Sequence, residues 1–167
     1  MLLYHGSNMT IEHPRLLGQM RGLDFGAGFY LTTNEAQAVR FSGIVVDRVK
    51  SGAAMVSVYE FDMETAMKTL LILKFEHADV EWLHYIIDNR LKKYQGVLYD
   101  IVIGPVANDR VMPAIQAHLG GFLNEEATIL TLKTSKLTDQ VCLKSEQALS
   151  LLTFVKSFET EGAVGNG

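Results

Sequence analysis

One cysteine and three prolines are all that 167 residues supply. Cys142 has no partner in the chain, which excludes an internal disulfide framework. Three prolines, with no serine or glutamine tract, leave no linker between separate domains. No run approaches the roughly 18 uninterrupted apolar residues of a membrane span, and even Thr69 to Phe75 is broken by Lys74. Excess positive charge is missing too. Fifteen basic residues against nineteen acidic ones give a net charge of −4, which opposes the general attraction that non-specific phosphate binding relies on. Nucleic acid remains open only through a local patch. The start, Met1-Leu2-Leu3-Tyr4-His5, has neither a basic leader nor an apolar run of signal-peptide length, so a cytoplasmic protein is expected. His77, His84 and His118 stand in separate contexts without paired ligand spacing, so no metal is expected.

What is present argues for a packed core. The apolar share is 48% and the charged share 20%, outside the range of disordered chains. A chain of this length buries about 70% of its unfolded surface around one core. We therefore expect a single domain over 1–160, with 161–167 a flexible tail.

Leu2 to His5 is a short apolar run closed by Gly6-Ser7-Asn8 and reads as a strand entering a turn. Gly26 and Gly28 free the backbone before a second strand, Phe29 to Thr32. Asn34 and Gln37 predict a capping box for a helix through Ala38, Val39 and Phe41. Met55 to Phe61 reads as a strand and Leu70 to Phe75 as a shorter one. After Asp79 the apolar residues Val80, Leu83, Ile86 and Ile87 follow a helical period as far as Arg90. Tyr99 to Ile103 reads as a buried strand stopped by Gly104-Pro105. A helix is expected from Asp109 to His118, ending at Gly120-Gly121, and another from Glu125 to Lys133. Val141 to Lys144 and Leu152 to Phe158 complete an α+β pattern. Trp82 and Tyr85 are expected to pack on the sheet, and Cys142 to be inert in a buried strand.

Gly26 and Gly28 do not form a dinucleotide fingerprint, because the third glycine is replaced by Leu31 and no regular βαβ alternation surrounds them. A different pairing is more informative. The strand ending in Tyr4-His5-Gly6-Ser7, followed by Leu23-Asp24-Phe25-Gly26-Ala27-Gly28-Phe29-Tyr30-Leu31-Thr32, resembles the first two signature elements of the ADP-ribosyltransferase superfamily, in its diphtheria-toxin and poly-ADP-ribose-polymerase branch. Together with Tyr99-Asp100-Ile101-Val102-Ile103-Gly104-Pro105-Val106-Ala107-Asn108-Asp109-Arg110, the whole chain resembles the bacterial DUF3990 family within that superfamily. Taken singly, His5 would be an ordinary strand-end histidine, Tyr30 a core aromatic, and Gly26 and Gly28 turn residues. The combination is what carries the resemblance.

The resemblance implies a split mixed β-sheet flanked by helices, and an enzyme that cleaves NAD at the nicotinamide–ribose bond and transfers ADP-ribose to a macromolecular acceptor, protein or nucleic acid. It implies that His5 holds a hydroxyl of the adenosine ribose, that the Gly6 backbone bonds the nicotinamide amide beside Ser7, and that Tyr30 stacks on the nicotinamide. Asp24, Phe25, Gly26 and Gly28 would line the loop that crosses the NAD, with Arg21, or less directly Arg15, on the diphosphate. The third element is usually a glutamate on a late strand. Gln140 fits it by spacing here, and Asp139 does so if the register differs by one residue. Asn108 and Asp109 either cap a helix that starts near Arg110 or line the acceptor side. A toxin role with a small antitoxin partner is implied by the resemblance alone. The alternative, motivated by the missing glutamate, is a non-catalytic module that binds NAD or ADP-ribose.

Overall fold

The order of elements follows from the alternation of short β-branched runs with capped helical segments. The computed structural model describes residues 1–16, 18, 22–107, 111–133 and 137–160. Arg21, the Asn108-Asp109-Arg110 segment and the tail from 161 lie outside the described residues. Within them are seven strands in two sheets and six helices, a mixed α+β architecture. The strands are β1 (Leu2–Ser7), β2 (Phe29–Leu31), β3 (Met55–Phe61), β4 (Ile72–Lys74), β5 (Ile101–Pro105), β6 (Asp139–Leu143) and β7 (Leu152–Glu159). The helices are α1 (Glu35–Val49), α2 (Met63–Thr69), α3 (Val80–Arg90), α4 (Met112–Leu119), α5 (Glu125–Lys133) and α6 (Glu146–Leu149).

One sheet runs β1-β3-β7, all antiparallel, and the other β2-β6-β5-β4, with only β4 and β5 parallel. A single antiparallel bridge, Tyr4 with Thr32, joins them between β1 and β2. Because side chains alternate along a strand, each sheet presents one face to the other and one outward. The inner layer holds Leu3, Phe29, Leu31, Tyr59, Phe61, Ile101, Val141 and Leu143, all buried. Outside the first sheet, Ala38 of α1 packs on Val56 and Val58. Outside the second, Trp82, Leu83, Ile86, Ile115 and Leu132 cover Val102 and Cys142.

Several elements differ from expectation. The α1 cap is one-sided: Asn34 Oδ1 accepts from Gln37 N–H at 3.0 Å, but the Gln37 amide reaches the Asp139 carbonyl at 3.5 Å instead of returning to Asn34. The Asn34 N–H is already bonded to Thr32 Oγ1. Strand β5 begins two residues later than read and runs through Gly104-Pro105, which pair with Gln140 and Asp139. Proline is tolerated there because β4 ends opposite Ile103, so no ladder bond on that side is lost. Helix α4 runs from Met112 after Val111, which gives it no side-chain cap, and the expected start at Asp109 lies outside the described residues. Two short helices were not anticipated, α2 capped by Asp62 and α6 capped by Ser145.

Candidate active site

The strands β1 and β2 meet once and then part. Tyr4 exchanges both of its backbone hydrogen bonds with Thr32, at 2.9 and 3.0 Å. In an antiparallel ladder the backbone groups of residue i+2 point to the same side as those of residue i. Gly6 therefore directs its N–H and C=O away from β3 and towards β2, with which β1 forms no further ladder pair, while β2 pairs with β6 along its other edge. Its missing side chain has a packing cause as well. A Cβ at Gly6 would lie 2.2 Å from the Ala38 carbonyl oxygen, so the α1 backbone rests directly on β1. Ser7 is buried, and its hydroxyl donates to Asn8 Oδ1 at 3.4 Å.

His5 lies between the bridged residue Tyr4 and Gly6, where the two strands part. Its Nδ1 lies 2.7 Å from the Tyr30 carbonyl oxygen. A carbonyl only accepts, so Nδ1 carries the proton and the neutral ring presents Nε2 as a lone-pair acceptor. The imidazole stacks on Phe29, with centroids 4.4 Å apart. Burial holds its pKa below the ordinary value, with the bond to the Tyr30 carbonyl opposing that shift.

The phenol of Tyr30 leaves the opposite face of β2. The two side chains thus meet only through the Tyr30 main chain. The hydroxyl accepts from Phe25 N–H at 3.0 Å and donates to the Gly26 carbonyl at 2.6 Å, tying down its own loop. Desolvation, with the neighbouring Cys142 thiol second, raises the phenol far above its usual range. Cys142 itself is buried and pushed up to about 12 by desolvation, which leaves it inert. Gly26 adopts φ 78°, in the left-handed region that glycine tolerates best. At Gly28 a Cβ would meet Cys142 Sγ at 2.4 Å, so only glycine lets the loop cross β6 this closely. Lys144 closes the loop from the far side, donating to the carbonyls of Phe25 and Ala27, the latter at 2.9 Å.

Asp24 anchors the loop's start. Its carboxylate is buried, accepts from Arg90 Nε at 2.6 Å and from Ala107 N–H at 3.3 Å, and receives Gln140 Nε2 at 3.2 Å. The register puts Gln140 on the same face as Cys142 and Tyr30. Asp139 faces elsewhere, accepting from the Thr33 hydroxyl at 2.8 Å and the Thr33 N–H at 3.2 Å. Of the two neighbouring candidates on this strand, Gln140 is the one that shares a face with Tyr30 and meets Asp24. Arg15 is exposed at the surface, and no hydrogen bond or ion pair joins it to this cluster among the described residues.

Sequence reasoning missed Arg90 and Lys144. Arg90 is 66 residues from Asp24, and it reads as an ordinary basic residue in the last turn of α3. Lys144 follows directly on β6, and only the folded register shows that it reaches the loop carbonyls. Two surface cavities, about 410 Å³ bounded by Met1, Glu60 and Leu151 and about 340 Å³ bounded by Val80, Ile129 and Lys133, share no residue with this cluster.

Among the described residues no group of three or more His, Cys, Asp or Glu side chains could hold a metal ion, and no helix is long and apolar enough to cross a membrane. No curated protein and no solved structure matches the chain. Residues 1–154 match a family described as protein of unknown function (DUF3990). That match covers β1 to β6, the first three residues of β7 and every residue of the cluster built above, so the chain belongs to the DUF3990 family.

Proposed function

We propose that this chain is an NAD-dependent ADP-ribosyltransferase with an ADP-ribosyltransferase-like split sheet, acting on a macromolecular acceptor. The observation that carries the reading is the parting of β1 and β2 at His5-Gly6. It leaves a backbone donor and acceptor at Gly6 that β3 does not take up, next to the unprotonated Nε2 of His5. Such a pair suits a carboxamide and a ribose hydroxyl. In the reaction the C1′–N bond breaks, nicotinamide leaves with the bonding electrons as a neutral base, and an acceptor lone pair forms the new bond at C1′. The acceptor's proton passes to solvent. The transition state has oxocarbenium character, the charge problem that glycosidases solve with carboxylates.

Within this reading His5 Nε2 accepts from a ribose hydroxyl, Gly6 bonds the nicotinamide amide, and Tyr30 offers its ring to the base. Gln140 serves the nicotinamide ribose. Its amide can hydrogen-bond a hydroxyl but has no negative charge, and losing one charge-stabilising contact typically costs about 3 to 4 kcal/mol of transition-state stabilisation. That deficit favours a second reading, a module that binds NAD or ADP-ribose without turning it over. A toxin neutralised by a small antitoxin is the biological role that the superfamily resemblance suggests for the transferase.

The test is incubation of the purified protein with labelled NAD and host lysate. We expect nicotinamide release and a labelled acceptor, both lost in His5→Ala and Tyr30→Ala. Bound NAD with neither product rejects the enzyme in favour of the module. Loss of a robust turnover in Gln140→Ala rejects the module.

A further inference from the structure

We infer that Asp24 is a positioning residue for the proposed transfer: it fixes the Gln140 amide with Nε2 inward, so that Oε1 is the acceptor left for a ligand hydroxyl. The inference rests on the transferase reading. It also accounts for an amide at a position where a carboxylate would serve the chemistry better.

The argument starts from the partners of the amide. Gln140 Nε2 faces Asp24 Oδ2 at 3.2 Å and the Pro105 carbonyl at 3.5 Å. Both partners only accept, so the flipped amide would set oxygen against oxygen at one buried and one part-buried contact. The orientation is therefore dictated and not chosen by rotamer preference. Asp24 is itself immobilised. Arg90 Nε holds one carboxylate oxygen at 2.6 Å, and Ala107 N–H holds the other at 3.3 Å. Arg90 comes from the end of α3, Ala107 follows β5, and Gln140 sits on β6, so three elements fix one carboxylate. With its donor side committed, the amide has one oxygen left. A glutamine in this state mimics the hydrogen-bond acceptance of a carboxylate without its charge.

The same contacts explain why glutamate is disfavoured at 140 while aspartate stands at 24. Gln140→Glu would bring a second carboxylate against Asp24 in a buried setting, where like charges cannot both ionise cheaply. It would also leave the Pro105 carbonyl facing another acceptor. The two positions should therefore change together. In the double variant Asp24→Asn with Gln140→Glu, the new amide at 24 can donate to the new carboxylate at 140 and still accept from Arg90. The Ala107 N–H loses its acceptor, and the Pro105 carbonyl loses the Gln140 donor but keeps the bond from Trp82 Nε1 at 2.9 Å.

The experiment is a double-mutant cycle over wild type, Asp24→Asn, Gln140→Glu and the double variant, reading kcat and KM for NAD cleavage and the melting temperature of each. Asp24→Asn should lower kcat by about 10- to 100-fold, the usual cost of removing a partner that orients a working group, with KM for NAD little changed. Gln140→Glu should lose activity as well. The double variant should recover at least tenfold over the product of the two single effects. A cycle additive in both kcat and melting temperature overturns the pairing. Coupling in melting temperature with unchanged kcat in Asp24→Asn overturns the positioning role, since it leaves Asp24 as structural support only. Absence of NAD binding and turnover in all four proteins, with the melting coupling intact, overturns the transferase reading itself and with it the positioning role.

Discussion

The protonation of His5 decides both what it can bind and when. With Nδ1–H given to the Tyr30 carbonyl, the working atom is Nε2, and that atom accepts only while the ring is neutral. Burial favours the neutral ring, which carries a consequence for stability. Once unfolded, the histidine takes up a proton as the pH falls below its ordinary value of 6.5, while the folded one resists it. The unfolded state then binds more protons, so stability is complete above pH 6.5 and declines as the pH falls from there towards the folded pKa. Asp62 and Glu76, whose carboxyls are held low by Thr65 and Lys74 respectively, act only in the more acidic carboxylate range. Urea denaturation of wild type and His5→Asn at a series of pH values should therefore show a slope just below pH 6.5 in the wild type and a shallower one in the variant. Equal slopes would assign the effect to another group. Ligand binding through Nε2 should hold across that interval and weaken only at the lower pH where the folded ring itself takes up a proton and the acceptor is lost.

At the scale of elements, caps and turns decide where helices start and how loops are held. Asn34 closes the first turn of α1 with a 3.0 Å bond to Gln37 N–H. Asn34→Ala should cost about 1 kcal/mol, read as a lower urea midpoint at unchanged m-value. Gln37→Ala should be close to neutral. Its amide gives nothing back to Asn34, and its Oε1 is buried without a partner, so truncation removes a liability. Equal losses in the two variants would mean that the cap is reciprocal after all. This pair also marks how far the sequence could be read. The spacing Asn-x-x-Gln located the start of α1, and Asp79 with the apolar period located α3, because caps and periodicity are local signals. Strand β5 was misplaced by two residues because its end depends on where β4 stops, a fact about pairing and not about β5. Helices α2 and α6 are too short to show a period. The candidate site divides the same way: His5, Gly6, Tyr30 and Gln140 lie in recognisable local phrases, whereas Arg90 and Lys144 matter only through contacts across the fold, Arg90 reaching Asp24 over 66 residues.

Over the whole molecule, the split between β1 and β2 persists because the two sheets are otherwise clamped face to face. Phe29 is central to that clamp. It belongs to the short strand carrying Tyr30, is 7% exposed, stacks on His5 and meets the Tyr59 ring edge-on with centroids 6.0 Å apart. Truncating a buried phenylalanine costs about 3 to 5 kcal/mol, a large share of the roughly 5 to 15 kcal/mol that holds a domain together. At about 2 to 4 °C per kcal/mol for a chain of this size, Phe29→Ala should lower the melting temperature by about 6 to 20 °C. Phe122 provides the contrast. It has the same side chain but is 87% exposed in the turn between α4 and α5, so Phe122→Ala should stay within about 0.5 kcal/mol of wild type. Comparable losses in the two variants would contradict the two-sheet packing. If the packing holds, Phe29→Ala should also weaken binding of whatever ligand His5 serves, because the imidazole loses the ring it stacks on. Measuring binding of NAD to folded Phe29→Ala, well below its melting temperature, separates that local effect from global unfolding.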